Sequence, residues 1–206
     1  MRRLLVAALL LGGAAPAAAD DGLERLLARL EHASAQVESL RAEFTQRSRI
    51  KLFRKELRSS GRLLYQRPRR VRWEYLEPDP STLVLDGDQA SMRSGAAPPQ
   101  LLDLARDPAL RAVFDQLALW LGGGSLRAAR TAYALSAGGS DEQPTLTLTP
   151  LPGTPAASTF ARIELRFDPR LLLRAIALRE VSGDDKEVTF TRMERNVALP
   201  ATAFTP

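Results

Sequence analysis

The sequence predicts an α+β fold that is mostly β: a curled antiparallel sheet, a long N-terminal helix, and inserted helices that cover the concave apolar face. Three observations carry this expectation. Apolar residues recur at helical spacing just after a short leader. From Ser48 onward, short runs of β-formers alternate with turn residues at hairpin-length intervals. One stretch between two groups of such runs returns to helical spacing and stops at Gly122-Gly123-Gly124. A sheet of this kind curls, and its hollow side must be covered.

The leader comes first. Arg2 and Arg3, the apolar run Leu4 to Leu11, and Ala17-Ala18-Ala19 before Asp20 stand in the order of a secretory signal peptide. Residues 1–19 are therefore expected to be removed, leaving one exported domain over residues 20–206. The apolar run is shorter than the ~20 residues a membrane span needs, and no later stretch is longer, so the mature chain is expected to be soluble. The chain has no cysteine, which excludes disulfides, thiol catalysis, cysteine metal sites and lipid attachment through a thiol.

Asp20 and Asp21 suit a helix N-cap. After them Leu23, Leu26, Leu27, Leu30, Val37, Leu40 and Phe44 keep three- and four-residue steps, which predicts one helix of about six or seven turns ending near Phe44. Ile50 and Leu52 then alternate with charged residues, and Ser59-Ser60-Gly61 reads as a turn or bulge. Leu63 and Tyr65 share one face. Pro68 breaks the run, and Val71, Trp73 and Tyr75 alternate with Arg72 and Glu74. Pro78-Asp79-Pro80 turns the chain into the run Thr82 to Leu85, which Asp86-Gly87 ends. Leu101 to Leu104 and Leu110 to Leu121 are expected to be helical. Strands return at Tyr133 to Leu135, Thr145 to Thr149 and Thr159 to Phe167. A final hairpin pairs Leu172 to Val181 with Lys186 to Arg192.

Alternation places Leu63, Tyr65, Val71, Trp73 and Tyr75 on one side, where they can form a wall of an apolar lipid-binding hollow or serve as ordinary core. Arg67, two residues beyond Tyr65, shares that side. A charge beside an apolar hollow is costly unless it is hydrogen-bonded, and carbonyls of the covering helices could satisfy it. Arg54, Lys55, Arg58, Arg62, Arg67, Arg69, Arg70 and Arg72 crowd one region of a chain whose formal charge is +5. Such a run either binds anionic lipid or phosphate, or is the solvated face of a sheet. The single histidine, His32, falls on the exposed side of the first helix, so neither a Ser-His-Asp set nor a histidine metal site can be built. No phosphate-binding glycine loop is present. The expectation is a binding protein, not an enzyme, with no cofactor and no metal; export argues against nucleic acid as partner.

Four segments in order then carry a resemblance: Phe44-Thr45-Gln46; Arg67-Pro68 with Trp73-Glu74-Tyr75 and Pro78; Leu83-Val84-Leu85-Asp86-Gly87; and Phe204-Thr205-Pro206. Together they resemble the outer-membrane lipoprotein carrier (LolA) family. The resemblance implies an incomplete antiparallel β-barrel with a helical lid. It implies a monomeric periplasmic carrier that takes acylated lipoproteins from an inner-membrane ABC transporter complex and delivers them to an outer-membrane receptor lipoprotein. It also implies a lid-fastening role for Arg67, and places Val71 and Trp73 at inward aromatic positions. The chain departs from the family in having Val71 where many members have Phe, and in lacking an aromatic between Asp88 and Gly95. A paralogous carrier of another envelope lipid or hydrophobic metabolite is the alternative.

Overall fold

The computed structural model describes residues 16–52, 55–106 and 125–206. A helix, α1, spans Pro16–Ala35, and eleven strands follow. The first six are β1 (Ser39–Ile50), β2 (Lys55–Gln66), β3 (Arg70–Glu77), β4 (Ser81–Asp86), β5 (Gln89–Ser94) and β6 (Gln100–Leu102). The other five are β7 (Tyr133–Gly139), β8 (Pro144–Pro150), β9 (Phe160–Phe167), β10 (Leu173–Glu180) and β11 (Asp185–Arg195). Short 3-10 turns lie at Leu126–Thr131 and Pro155–Ser158. All strands belong to one sheet in the order β6-β5-β4-β3-β2-β1-β11-β10-β9-β8-β7. Two antiparallel meanders are thus joined along β1 and β11, and among the described residues β6 and β7 are the edge strands. The sheet does not close into a barrel.

Three local expectations are corrected. The first helix ends at Ala35 rather than near Phe44, because Leu40, Ala42 and Phe44 are buried in alternation with Arg41, Glu43 and Thr45 on β1. A spacing of three or four and a spacing of two coincide at positions four apart, so Leu40 and Phe44 satisfied both periods. Asp20 and Asp21 lie inside α1 and not at its cap, since the alanine-rich stretch from Pro16 continues the helix upstream. Leu101 and Leu102 lie on β6, followed by a turn, because pairing with β5 overrides their weak helical pattern. The expected helix from Leu110 to Leu121 lies outside the described residues.

Burial follows the period-two pattern along β8, β9 and the inner part of β2 and β3. One continuous cluster takes the inner residues of both meanders and, from α1, Leu23, Leu26, Leu27 and Leu30. Full burial of such a leucine stabilises by roughly 1.5–3 kcal/mol. A smaller cluster lies on the outer face, where Ala203 and Phe204 pack on Val84 beside Leu64 and Leu199. Arg72 Nη1 donates to the Thr205 carbonyl at 3.0 Å, which ties the C-terminal segment to β3.

Between β9 and β11 the outer face is a charge ladder. Arg166 donates to Glu164 at 2.8 Å and to Glu187 at 2.6 Å, and Arg162 to Glu164 at 2.9 Å. The hydrogen bond from Arg166, helped by Arg162, holds the Glu164 carboxyl below its ordinary value of 4.5. Arg58 does the same for Glu56, and Arg179 for Asp185. A carboxylate whose value is lowered by folding stabilises the native state above its unfolded value, and that contribution is lost as pH falls through the folded value. The thermal midpoint is therefore expected to hold through neutral and mildly acidic pH and to fall below about pH 4.5, the ordinary glutamate value. Glu164→Gln should flatten the acid limb; an acid limb identical to that of the parent would remove this pair from the account.

Candidate functional site

The inner face of β2 and β3 is built by register. Leu63 stands opposite Trp73, Tyr65 opposite Val71, and Gly61 opposite Tyr75. All five residues expected to line an apolar wall therefore meet on one face. In this conformation Leu63 and Tyr65 are completely buried, Val71 and Trp73 nearly so, and Tyr75 half-buried.

Two residues that the sequence reading did not assign complete the wall. Phe44 on β1 lies 4.7 Å from Trp73 and 5.3 Å from Tyr75, ring centre to ring centre. Phe190 on β11 lies 6.1 Å from Trp73. Phe44 and Phe190 are cross-strand partners at the seam between the meanders. Tilted and edge-on aromatic pairs at these distances add about 0.5–1.5 kcal/mol each beyond area burial. The Tyr75 hydroxyl donates to Gln46 Oε1 at 2.8 Å, so the group is anchored at one end by a satisfied polar contact.

The helix α1 lies against β7 and the 3-10 turn at Leu126–Thr131. Its leucines belong to the same apolar cluster, while its upper side is held by polar contacts. Arg127 bonds Glu24 and Glu31, Arg130 bonds Glu24, and the Ser125 hydroxyl donates to Glu31 at 2.6 Å. The Arg130 bond, with Arg127, keeps the Glu24 carboxyl below the usual range. Glu24 and Glu31 are seven residues apart and so share a helix face, but their arginine partners lie about a hundred residues away in the chain, beyond any local pattern.

At the other end of α1, Arg67 Nη2 donates to the Ser34 carbonyl at 2.8 Å and Nε to the Val37 carbonyl at 3.2 Å. Its guanidinium also stands 3.8 Å from the Glu38 carboxylate. Carbonyls at a helix C-terminus lack intrahelical donors and carry the negative end of the dipole, so a guanidinium suits them. The acceptors of Arg67 thus lie at the end of α1 and just beyond it; the helix expected over Leu110 to Leu121, from which acceptors were expected, lies outside the described residues.

Among the described residues, three polar atoms inside the cluster are buried without a hydrogen-bond partner: Tyr65 Oη, Trp73 Nε1 and Tyr133 Oη. Burial raises the Tyr65 hydroxyl above its ordinary value, with Arg67 opposing, and pushes Tyr133 up to about 12. Burial likewise raises Tyr75; the Trp73 N–H and Gln46 oppose it, although Trp73 Nε1 reaches no hydrogen-bond geometry of its own.

Apart from Arg67, the described residues of the basic cluster form an ion-paired outer face. Arg58 meets Glu56 at 3.0 Å, Arg70 meets Asp86 at 2.8 Å, and Arg69 stands 3.7 Å from Asp88. Arg54 lies outside the described residues. A cleft of about 290 Å³ on the outer face is lined by Arg47, Glu56, Arg162, Glu164 and Arg166 among others, a lining too charged to take an acyl chain. His32 is exposed. Among the described residues no group of acids and histidine is arranged to hold a metal, and no helix is long and apolar enough to cross a membrane.

Comparison with known proteins places the chain in a family. The profile of the family described as "Outer membrane lipoprotein carrier protein LolA" matches residues 35–206. An outer-membrane lipoprotein carrier protein of Dechloromonas aromatica is 30% identical over 188 residues, covering 87% of this chain and 86% of its own. One from Chromobacterium violaceum is 29% identical over 203 residues, covering 98% of this chain and 90% of its own. Among solved structures, a chain of the Pseudomonas aeruginosa MucA/MucB complex superposes with a TM-score of 0.52 at 17% identity, over 90% of this chain and 61% of that one. The last likeness is one of fold.

Proposed function

The chain belongs to the outer membrane lipoprotein carrier protein LolA family, and from that premise we propose that it binds the acyl chains of lipoproteins between the sheet and α1 and carries them from the inner to the outer membrane. The observation that carries this reading is the construction of the interior. An aromatic and aliphatic wall shares one apolar cluster with a helix whose buried side is leucine and whose fastenings are exposed ion pairs and a guanidinium. Exposed ion pairs contribute about 0–1 kcal/mol each, so such a helix can lift without loss of the sheet. An acyl chain in water costs about 0.8 kcal/mol per methylene. A lipoprotein therefore leaves a bilayer only toward a comparable apolar surface. The leucines of α1 occupy that surface when the carrier is empty, and acyl chains would take their place when it is loaded.

Under this reading residues 1–19 direct export and are removed, the mature protein works in the periplasm as a monomer, and no chemical step is catalysed. Its partners are an inner-membrane ABC transporter complex that loads it and an outer-membrane receptor lipoprotein that unloads it. Two measurements test the proposal on protein from the native host. Mass mapping should find the N-terminus at or near Asp20; an intact Met1 on working protein would overturn the export claim. Native mass spectrometry should find acylated protein bound one to one. Bound lipid without attached polypeptide would instead identify a carrier of another envelope lipid or hydrophobic metabolite, and no bound lipid under any loading condition would reject carriage altogether.

A further inference from the structure

We propose that the interior recognises the carbonyl groups of its cargo as well as the hydrocarbon, through three buried donors: the Tyr65 hydroxyl, the Trp73 indole N–H and the Tyr133 hydroxyl. The ligand class is then an acyl ester or amide, selected over an alkyl chain of the same length. The inference rests on the lipid-carrier reading and specifies the chemistry of the cargo.

Among the described residues the Tyr65 and Tyr133 hydroxyls are buried without partners, and Trp73 Nε1, though it faces the Tyr75 hydroxyl, makes no hydrogen bond of normal geometry; the Tyr75 hydroxyl itself is bonded to Gln46. A polar atom left unpaired in an apolar interior bears its full desolvation cost. Phenylalanine at positions 65 and 133 would fill the same space without that cost. Packing alone therefore does not account for these two hydroxyls.

Their placement suits a ligand. Tyr65 on β2 and Trp73 on β3 are diagonal neighbours on the inner face, since Tyr65 pairs with Val71. Tyr133 stands on β7, the far edge of the other meander. All three belong to the cluster that the α1 leucines complete. Donors thus stand on both wings of the sheet within one cluster.

Their chemistry is uniform. An indole N–H only donates. The two phenols stay protonated because burial raises them above the ordinary tyrosine value. What all three share is a donor, and a ligand that brings a carbonyl oxygen, of an ester or an amide, answers it; the phenol oxygens can accept as well and do not exclude either. An acyl carbonyl drawn from a bilayer surface into the interior loses its water, and it needs a donor there. Methylene contacts give no discrimination between an acyl and an alkyl chain; a buried unpaired donor does.

The test is competition against a fluorescent apolar probe, phenylnaphthylamine, by diester and diether phosphatidylcholines of equal chain length, each below its micelle concentration. The parent protein should prefer the diester about tenfold, which is about 1.4 kcal/mol. Tyr65→Phe and Tyr133→Phe should each reduce that preference several-fold, the diester losing more affinity than the diether, and keep or raise the thermal midpoint. Equal affinities in the parent, or an undiminished preference in both variants, would overturn carbonyl recognition and leave lipid carriage standing. Failure of both lipids to displace the probe would overturn carriage itself. Should either variant fold poorly, the ester-to-ether ratio of the parent still decides the question.

Discussion

Gly61→Ala is expected to destabilise this protein severely, by about 3 kcal/mol or more. A Cβ at position 61 would lie 2.0 Å from the Glu74 carbonyl oxygen, 2.5 Å from Phe44 Cζ and 2.8 Å from Phe44 Cε1. The first obstacle is backbone of β3, held in register on both sides. The second is a ring fixed against Trp73 and Tyr75. Overpacking of a core typically costs 1–3 kcal/mol where side chains can yield. Here neither neighbour can move freely, so the cost should reach or pass the upper end, about 3 kcal/mol or more. Against a typical total stability of roughly 5–15 kcal/mol, that is a large share. The register shifts between Ser60 and Gly61, where Leu76 is the extra residue of β3. Denaturant midpoints of Gly61→Ala and Gly22→Ala provide the comparison. Gly22 lies within α1, and nothing stands within 4 Å of a Cβ added there, so that change should stabilise by about 0.5–1 kcal/mol. A Gly61→Ala midpoint equal to that of the parent would show that β3 moves more easily than its register suggests.

Arg67→Leu should leave the protein folded and able to take up acylated cargo, yet poor at releasing it. The substitution removes the donors to the Ser34 and Val37 carbonyls and adds apolar surface beneath the end of α1. Both changes favour the raised, loaded position of the helix over the closed, empty one. Hydrogen bonds to a charged group contribute about 1.5–3 kcal/mol, and partial exposure of Arg67 places it toward the lower value. That still shifts an opening equilibrium by roughly tenfold or more. Arg69→Leu and Arg72→Leu should affect transfer much less. Arg69 stands by Asp88, and Arg72 fastens the C-terminal segment through Thr205 on the outer face. The measurement is transfer of a labelled lipoprotein from loaded carrier to an outer-membrane acceptor, at matched stability. Undiminished transfer by Arg67→Leu would remove the residue from the release step, and a greater loss at Arg69 or Arg72 would move attention to the outer face as a docking surface.

Local pattern was enough for what depends on one strand at a time. The alternation of Leu63, Tyr65, Val71, Trp73 and Tyr75 determines which side of β2 and β3 is apolar, whatever those strands pair with. The turn at Asp86-Gly87 is equally local, since Gly87 adopts a φ of 63°. So is the hairpin of β10 and β11, which join across Ser182 to Asp184. What needed the tertiary structure is whatever joins distant segments. Phe44 fits a helical step as well as a strand, and only its pairing with β2 and β11 decides between them. Phe190 becomes part of the aromatic wall because β11 returns to pair with β1 across most of the chain. The acceptors of Arg67 at the end of α1, and the arginines that clamp Glu24 and Glu31, lie tens to about a hundred residues from their partners. The unpaired hydroxyls of Tyr65 and Tyr133 are likewise invisible in sequence, because satisfaction of a polar atom depends on every segment that closes over it. A side chain's face follows from the period of its own backbone; its partners follow from where the sheet brings the rest of the chain.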